Sequence, residues 1–368
     1  MLVQSVPMLD LGHQHRLVAD EVAEGFARVL ASNSYVLGRE VEQFEREYGD
    51  YLGLAHVVGV GNGTDALELA LAAAGVGPGD EVVIPANTFV ATAEAVVRVG
   101  ATLRLVDVTD DHLIDPAEVA LALSSRTRAV IPVHLYGRIA DVAAIRRLVG
   151  PDVLIVEDAA QSQGARTAGR AAGALGDVAA TSFYPGKNLG AYGDAGAVTT
   201  NDAGIADRVR ALRNHGGTAR YEHRIVGSNS RLDSLQAVVL SAKLRHLDAW
   251  NAERRVLAAR YRQGLARPGI TVPTAPEYEA HVYHQFVVEL DDRNRVFAEL
   301  VAAGIGVGIH YPTPVHLLPA FASAGLGGVG DFPRAERQAG RILSLPIYPG
   351  LTERAQDRVI ASLLEAIG

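Results

Sequence analysis

The chain has 368 residues, 48% of them apolar, which is enough for a substantial core and about two domains. Its 34 Lys and Arg against 42 Asp and Glu leave a formal charge of −8, which opposes nonspecific binding to nucleic-acid phosphates. Cysteine is absent, which excludes disulfides and thiolate metal sites, and no apolar run reaches the ~18 residues needed to cross a bilayer.

The N-terminus, MLVQSVPMLDLGHQHR, lacks a basic segment followed by an apolar one, so no signal peptide and a cytoplasmic location are expected. Residues 14–32 and 40–51 read as amphipathic helices joined by a polar, glycine-ended connection. HVVGV (56–60) is a short buried strand, 61–65 a glycine turn, and 66–74 a strong helix former. Strands are expected at 81–85, 101–108, 128–135 and 153–158, alternating with helices at 92–99, 116–123 and 141–148. Asp115 is the expected cap of the second of these helices, with Pro116 at its first position. This alternation predicts a largely parallel sheet covered on both faces, with ligands at the carboxyl ends of its strands.

From Val178 a β-rich run breaks at Pro185-Gly186, presents Lys187, and passes through glycines into a second apolar run ending at Val198. A helix at 202–213, a glycine-bearing loop at 214–229 and a long helical region from Leu232 to about Leu265 follow. The domain boundary is placed near residue 245. That gives a large α/β domain over 1–245 and a smaller α+β domain over 246–368. The smaller one carries strands at 284–290, 306–312 and 343–348, a helix at 293–303 and a terminal helix.

A lysine just past a buried strand is held on rigid backbone with its amine in a cleft. Partial desolvation there lowers the amine pKa and makes it a nucleophile toward an aldehyde. Alone, Lys187 would read as an exposed loop lysine; its company changes that. Asp158 ends another apolar strand, VLIVEDAAQ. A carboxylate and a lysine at similar depth at the mouth of a parallel sheet suit pyridoxal phosphate. The lysine condenses with the cofactor aldehyde, and the aspartate pairs with the protonated pyridine nitrogen. A nucleotide phosphate loop at Gly186-Lys187 fails, because Thr181 stands where a glycine is needed and Asn188 where Ser or Thr is needed.

The turn Gly61–Ala66 resembles a dinucleotide fingerprint, but Asp80 and Glu81 precede the second strand instead of following it. A glycine turn feeding a helix N-terminus still suits an anion, and Thr64 adds a hydroxyl. Phe89 is either ordinary core or a ring stacked on a pyridine. Gln161 is either solvated or a donor to the cofactor's phenolic oxygen. Ser182 either bonds to backbone or reaches a phosphate. His134 reads as a satisfied histidine, and His13/His15 and His281/His284 lack the further ligands that zinc needs, so no metal is expected.

The segments GNGTDALELAL, GPGDEVVIP, VEDAAQSQGA, SFYPGKNLGAYGDAGA, SNSRLDSLQA and HYPTPVHL together resemble the DegT/DnrJ/StrS family of sugar aminotransferases, from about Pro7 to Leu363. SFYPGKNLG resembles the branch acting on nucleotide-linked 3-keto-6-deoxyhexoses. The resemblance implies an α/β, aspartate-aminotransferase-like fold (PLP fold type I) and a homodimer with shared active sites. It implies Lys187 as the Schiff-base lysine, Asp158 at the ring nitrogen, Gln161 at the ring oxygen, and Phe89 as the stacking aromatic. Gly63, Thr64 and Ser182 match phosphate contacts, and Asn229 a phosphate ligand from the other subunit. Tyr184, Tyr221, His310 and Tyr311 fall near the sugar nucleotide; His215 departs from the tyrosine expected in NYG. Lysine at 187, where related dehydratases carry histidine, favours amino transfer.

The expected reaction is amination, at C3, of a dTDP-linked 3-keto-6-deoxyhexose with L-glutamate as donor; no arginine for the donor carboxylate stands out. The alternatives are C4 amination of a 4-keto sugar, an NAD(P)-dependent sugar oxidoreductase resting on the Gly61–Ala66 turn, and a noncatalytic sensor that binds pyridoxal phosphate.

Overall fold

A seven-stranded sheet forms the centre of the computed structural model, which describes residues 5–219, 221–274 and 280–368. Helices α1 (Gly12–Ser32) and α2 (Arg39–Leu52) precede β1 (His56–Val60) and α3 (Gly63–Ala73). Strand and helix then alternate through β2 (Glu81–Pro85), α4 (Val90–Arg98), β3 (Thr102–Val106), α5 (Pro116–Ala122), β4 (Thr127–Val130), α6 (Val142–Val149) and β5 (Leu154–Asp158). A hairpin of β6 (Arg166–Thr167) and β7 (Arg170–Ala171) leads to β8 (Val178–Ser182) and β9 (Gly196–Thr200). Next come α7 (Ala203–Leu212), α8 (Ser234–Leu244) and α9 (Leu247–Gly264). The C-terminal part contains β10 (Ile270–Thr271), β11 (Phe286–Leu290), α10 (Arg293–Ala302), α11 (Pro333–Arg341), β12 (Ile342–Leu345) and α12 (Glu353–Ile367).

The strand order is β1-β9-β8-β5-β4-β2-β3, and β9 alone runs against the rest. Alternate residues of each strand enter different cores. Val82, Ile84, Ala129 and Val156 pack with α3 and α4 on one face; Val83, Val130 and Ile155 pack with Val119 of α5 and Ile145 of α6 on the other. Each fully buried Val or Ile contributes roughly 1.5–3 kcal/mol, so the strand ends that carry the site are fixed from two sides. A third core joins α9, α10 and α12 to the antiparallel sheet β10-β11-β12. No helix of the described residues is long and apolar enough to cross a membrane.

The mixed, mostly parallel sheet expected from the alternation is present, and Asp115 and Pro116 open α5 as anticipated, with the Asp115 carboxylate accepting from the Ala117 N–H. Other expectations need correction. Residues 306–312 are not a strand; only Gly308 pairs, with Ser344, and the backbone instead wraps His310 and Tyr311 toward the main sheet. The helical region 232–265 breaks at Arg245-His246, because α8 packs on α1 and α2 whereas the far end of α9 joins the C-terminal core. The helix expected at 66–74 begins three residues earlier, since Asn62 caps it. Lys187 lies five residues beyond the end of β8, in a turn where its N–H donates to the Tyr184 carbonyl at 2.8 Å.

Candidate active site

The carboxyl ends of β1, β2, β5 and β8 open onto one cavity of about 790 Å³, within the usual size for a small-molecule site. Gly63, Thr64, Phe89, Asp158, Gln161, Ser182, Tyr184, Lys187, His310 and Tyr311 all line it. These residues come from five separate stretches of sequence. Asn229 and Tyr221 do not line it; Asn229 pairs with Asn214 on the outer loop, and Tyr221 is 80% exposed.

Asp158 is buried at the end of β5. Its Oδ2 accepts from the Thr92 hydroxyl at 2.8 Å and its Oδ1 from the Ala160 N–H at 3.1 Å, so the carboxylate is held by two donors. Thr92 in turn contacts the Thr88 hydroxyl at 2.8 Å. Lys187 is half-buried, and enclosure of its amine lowers the pKa from the ordinary value near 10.5 to about 8, against the pull of the Asp158 charge in the other direction. Gln161 is buried rather than solvated. Its Oε1 accepts from the Tyr136 N–H at 2.6 Å, which leaves the Nε2 as the donor on the other side, 3.3 Å from the Tyr311 hydroxyl.

Phe89 is not core: it is 47% exposed at the start of α4, with its ring 5.0 Å from that of Tyr311 and tilted by 37°. The His310 carbonyl accepts from the Tyr136 hydroxyl, and its Nδ1 lies 2.8 Å from Ser344 Oγ. His134 is satisfied, between the Glu157 carboxylate at 2.7 Å and the Ala140 N–H at 3.2 Å. Arg98, on the cavity wall, is already paired with Glu68 at 3.1 Å. No group of three or more His, Asp or Glu that suits a metal ion occurs among the described residues.

Pyridoxal phosphate fits this donor set. Asn62 caps α3 by accepting from the Asp65 N–H at 2.8 Å, which leaves the first-turn amides of Gly63 and Thr64 without intrahelical partners beside Ser182. Gly63 and Ser182 form a cradle that a side chain would fill: a Cβ on Gly63 would lie 2.6 Å from Ser182 Cβ. Gly63→Ala is therefore expected to displace Ser182 and weaken pyridoxal phosphate affinity at least tenfold, about 1.4 kcal/mol, by equilibrium dialysis. Unchanged affinity would move the phosphate elsewhere.

Sequence reasoning missed Asn62, Thr88, Thr92, Asp194, His284 and Gln285, all near or on the cavity wall. Thr92 sits one helical turn after Phe89, so the helix period alone places it beside that ring. His284 entered only as a rejected metal ligand, and nothing in its local sequence points to Lys187.

The model of the DegT/DnrJ/EryC1/StrS aminotransferase family matches residues 17–364. The chain is 49% identical over 364 residues to the dTDP-3-amino-3,4,6-trideoxy-alpha-D-glucose transaminase of Streptomyces venezuelae, covering 98% of this chain and 96% of that one. It is also 49% identical to the erythromycin biosynthesis sensory transduction protein EryC1 of Saccharopolyspora erythraea, covering 97% and 98%. Among solved structures, the S. venezuelae DesV complex with a ketimine intermediate superposes with a TM-score of 0.95 at 48% identity, covering 98% of each chain. The chain belongs to the DegT/DnrJ/EryC1/StrS aminotransferase family, and it is a pyridoxal-phosphate-dependent aminotransferase.

Proposed function

We propose that the protein transfers the amino group of L-glutamate to C3 of a dTDP-linked 3-keto-6-deoxyhexose, releasing 2-oxoglutarate and supplying an aminodeoxysugar for antibiotic biosynthesis. The observation that carries this reading is the convergence of Lys187 and Asp158 on one cavity with the amine lowered to about 8. The transaminase relative supplies the sugar and the carbon. A second copy of the chain is proposed to bring Asn229 and Tyr221 to the cavity, since both lie outside it in a single chain.

Bound at this site, pyridoxal phosphate supplies an aldehyde and a protonated ring that draws electrons from the carbon losing its proton. Gly63, Thr64 and Ser182 hold the phosphate, Phe89 faces the ring, and Gln161 donates to its oxygen. Asp158 keeps the ring nitrogen protonated. Lys187 Nζ would take the α-proton of the donor as a base and give a proton back as an acid. The steps run in reverse with the keto sugar, and Tyr184, His310 and Tyr311 orient it.

Only the free amine of Lys187 condenses with an aldehyde. Below its pKa the uncharged fraction falls tenfold per pH unit. Cofactor uptake by the apoprotein is thus expected to rise about tenfold from pH 6 to pH 7 and to level off above about pH 8. A rate still climbing through pH 10 would return the amine to its ordinary value.

A noncatalytic sensor is a second reading, favoured by the description of EryC1 as a sensory transduction protein. Adding L-glutamate separates the two: an aminotransferase converts the bound cofactor's absorbance to that of its aminated form, and a passive binder does not. A panel of 3-keto and 4-keto nucleotide sugars then tests the carbon. Turnover confined to 4-keto sugars would overturn the C3 assignment.

A further inference from the structure

Behind the cavity a buried hydrogen-bonded chain joins the C-terminal region to Lys187. Asn188, the residue after the lysine, donates both amide hydrogens: one to Asn251 Oδ1 at 2.8 Å on α9, the other to the Val282 carbonyl at 3.1 Å. Its oxygen can therefore only accept, and it lies 3.2 Å from His284 Nδ1. That ring nitrogen must carry the hydrogen. Asn251 passes the same polarity on, donating to the Gln163 carbonyl at 2.9 Å, and the Gln163 amide donates to Thr181 Oγ1 at 2.9 Å and the Ser182 carbonyl at 2.8 Å.

Asn188, Asn251 and Gln163 are each 1% exposed, and His284 is buried on the wall of the cavity that Lys187 also lines. Gly164 packs closely on the chain: a Cβ there would fall 2.3 Å from Asn251 Nδ2. The turn that presents Lys187 is thus held from the C-terminal region through Asn188. Its own strand ended five residues earlier.

We propose that His284 is a positioning residue for Lys187, acting through Asn188 to fix the turn that encloses the lysine amine. The inference rests on the reading of Lys187 as the cofactor-binding lysine. It requires a neutral ring, because a protonated imidazole would set a second cation against that amine. The charged and titratable groups facing His284 are Lys187, Arg254 and His310, and burial first, then the positive charge that these groups carry when protonated, keeps its pKa well below the usual histidine range. Lys187 is faced by Asp158, whose charge acts in the opposite sense to burial.

Loosening the turn admits water to the amine, so its pKa must climb back toward 10.5. The test measures pyridoxal phosphate uptake by cofactor-free protein against pH, with a melting curve for each variant. His284→Leu removes the donor to Asn188, and its midpoint is expected to rise by at least about one unit, with uptake at pH 7 falling about tenfold. The single-turnover rate with L-glutamate is expected to fall about tenfold, with kcat affected more than KM. His284→Asn presents an amide nitrogen where Nδ1 stood and should restore the wild-type midpoint. Asn188→Ala severs the link with the ring still in place and should reproduce the leucine variant; it serves as the test if His284→Leu does not fold.

Folded His284→Leu and Asn188→Ala proteins with an unmoved midpoint would overturn the proposal, as would His284→Asn behaving like His284→Leu. Wild-type protein that takes up no cofactor at Lys187 would instead remove the reading on which the proposal stands.

Discussion

Replacing Lys187 by arginine is expected to lower turnover by at least about 10³-fold, or ~4 kcal/mol of barrier. Arginine keeps a positive charge at the same place, so the substitution asks whether charge or proton transfer is what matters. A guanidinium does not give up its proton in this pH range and cannot condense with an aldehyde. The native amine, lowered to about 8 by enclosure, does both near neutral pH. Loss should appear in the single-turnover rate with L-glutamate as well as in steady-state turnover. A variant within about tenfold of wild type, ~1.4 kcal/mol, would take Lys187 out of the reaction.

Asp158→Asn is expected to cost about 10²-fold or more in the single-turnover rate, with cofactor binding reduced much less. The amide has nearly the shape of the carboxylate but no charge to hold the ring nitrogen protonated. Each pKa unit lost by that nitrogen corresponds to about 1.4 kcal/mol of preference for the electron-withdrawing form. The local geometry adds to the effect. The carboxylate faces two donors, the Thr92 hydroxyl at 2.8 Å and the Ala160 N–H at 3.1 Å, and an amide can oblige only one of them with its oxygen. Thr92→Val, which removes one donor and keeps the charge, should therefore fall between wild type and Asp158→Asn. Equal rates for Asp158→Asn and wild type would show that the ring nitrogen needs no anionic partner here.

The parts of this molecule legible in the sequence are those whose cause is local. Strand β5 ends at Asp158 as the apolar run VLIVED indicates, and a helix follows the glycines after β1 as expected, though it starts at Gly63, inside the stretch read as a turn. Lys187 was recognisable because a strand, a proline-glycine break and a second apolar run frame it. Helix α11 was not seen, since its buried residues are Ala335, Gln338 and Ala339 and make no apolar stripe. Residues 306–312 alternate apolar and polar side chains as a strand does, yet their task is to carry His310 and Tyr311 to the cavity. Thr92 and His284 escaped for a different reason. Their partners, Asp158 and Asn188, stand 66 and 96 positions away, and only the fold brings them together.

The most direct test of the whole reading is chemical. Borohydride reduction of the pyridoxal-phosphate-loaded protein, followed by peptide mass mapping, is expected to leave the cofactor's mass on the peptide containing Lys187 and nowhere else. The same mass on a different lysine, or on no peptide of a fully loaded sample, would contradict it.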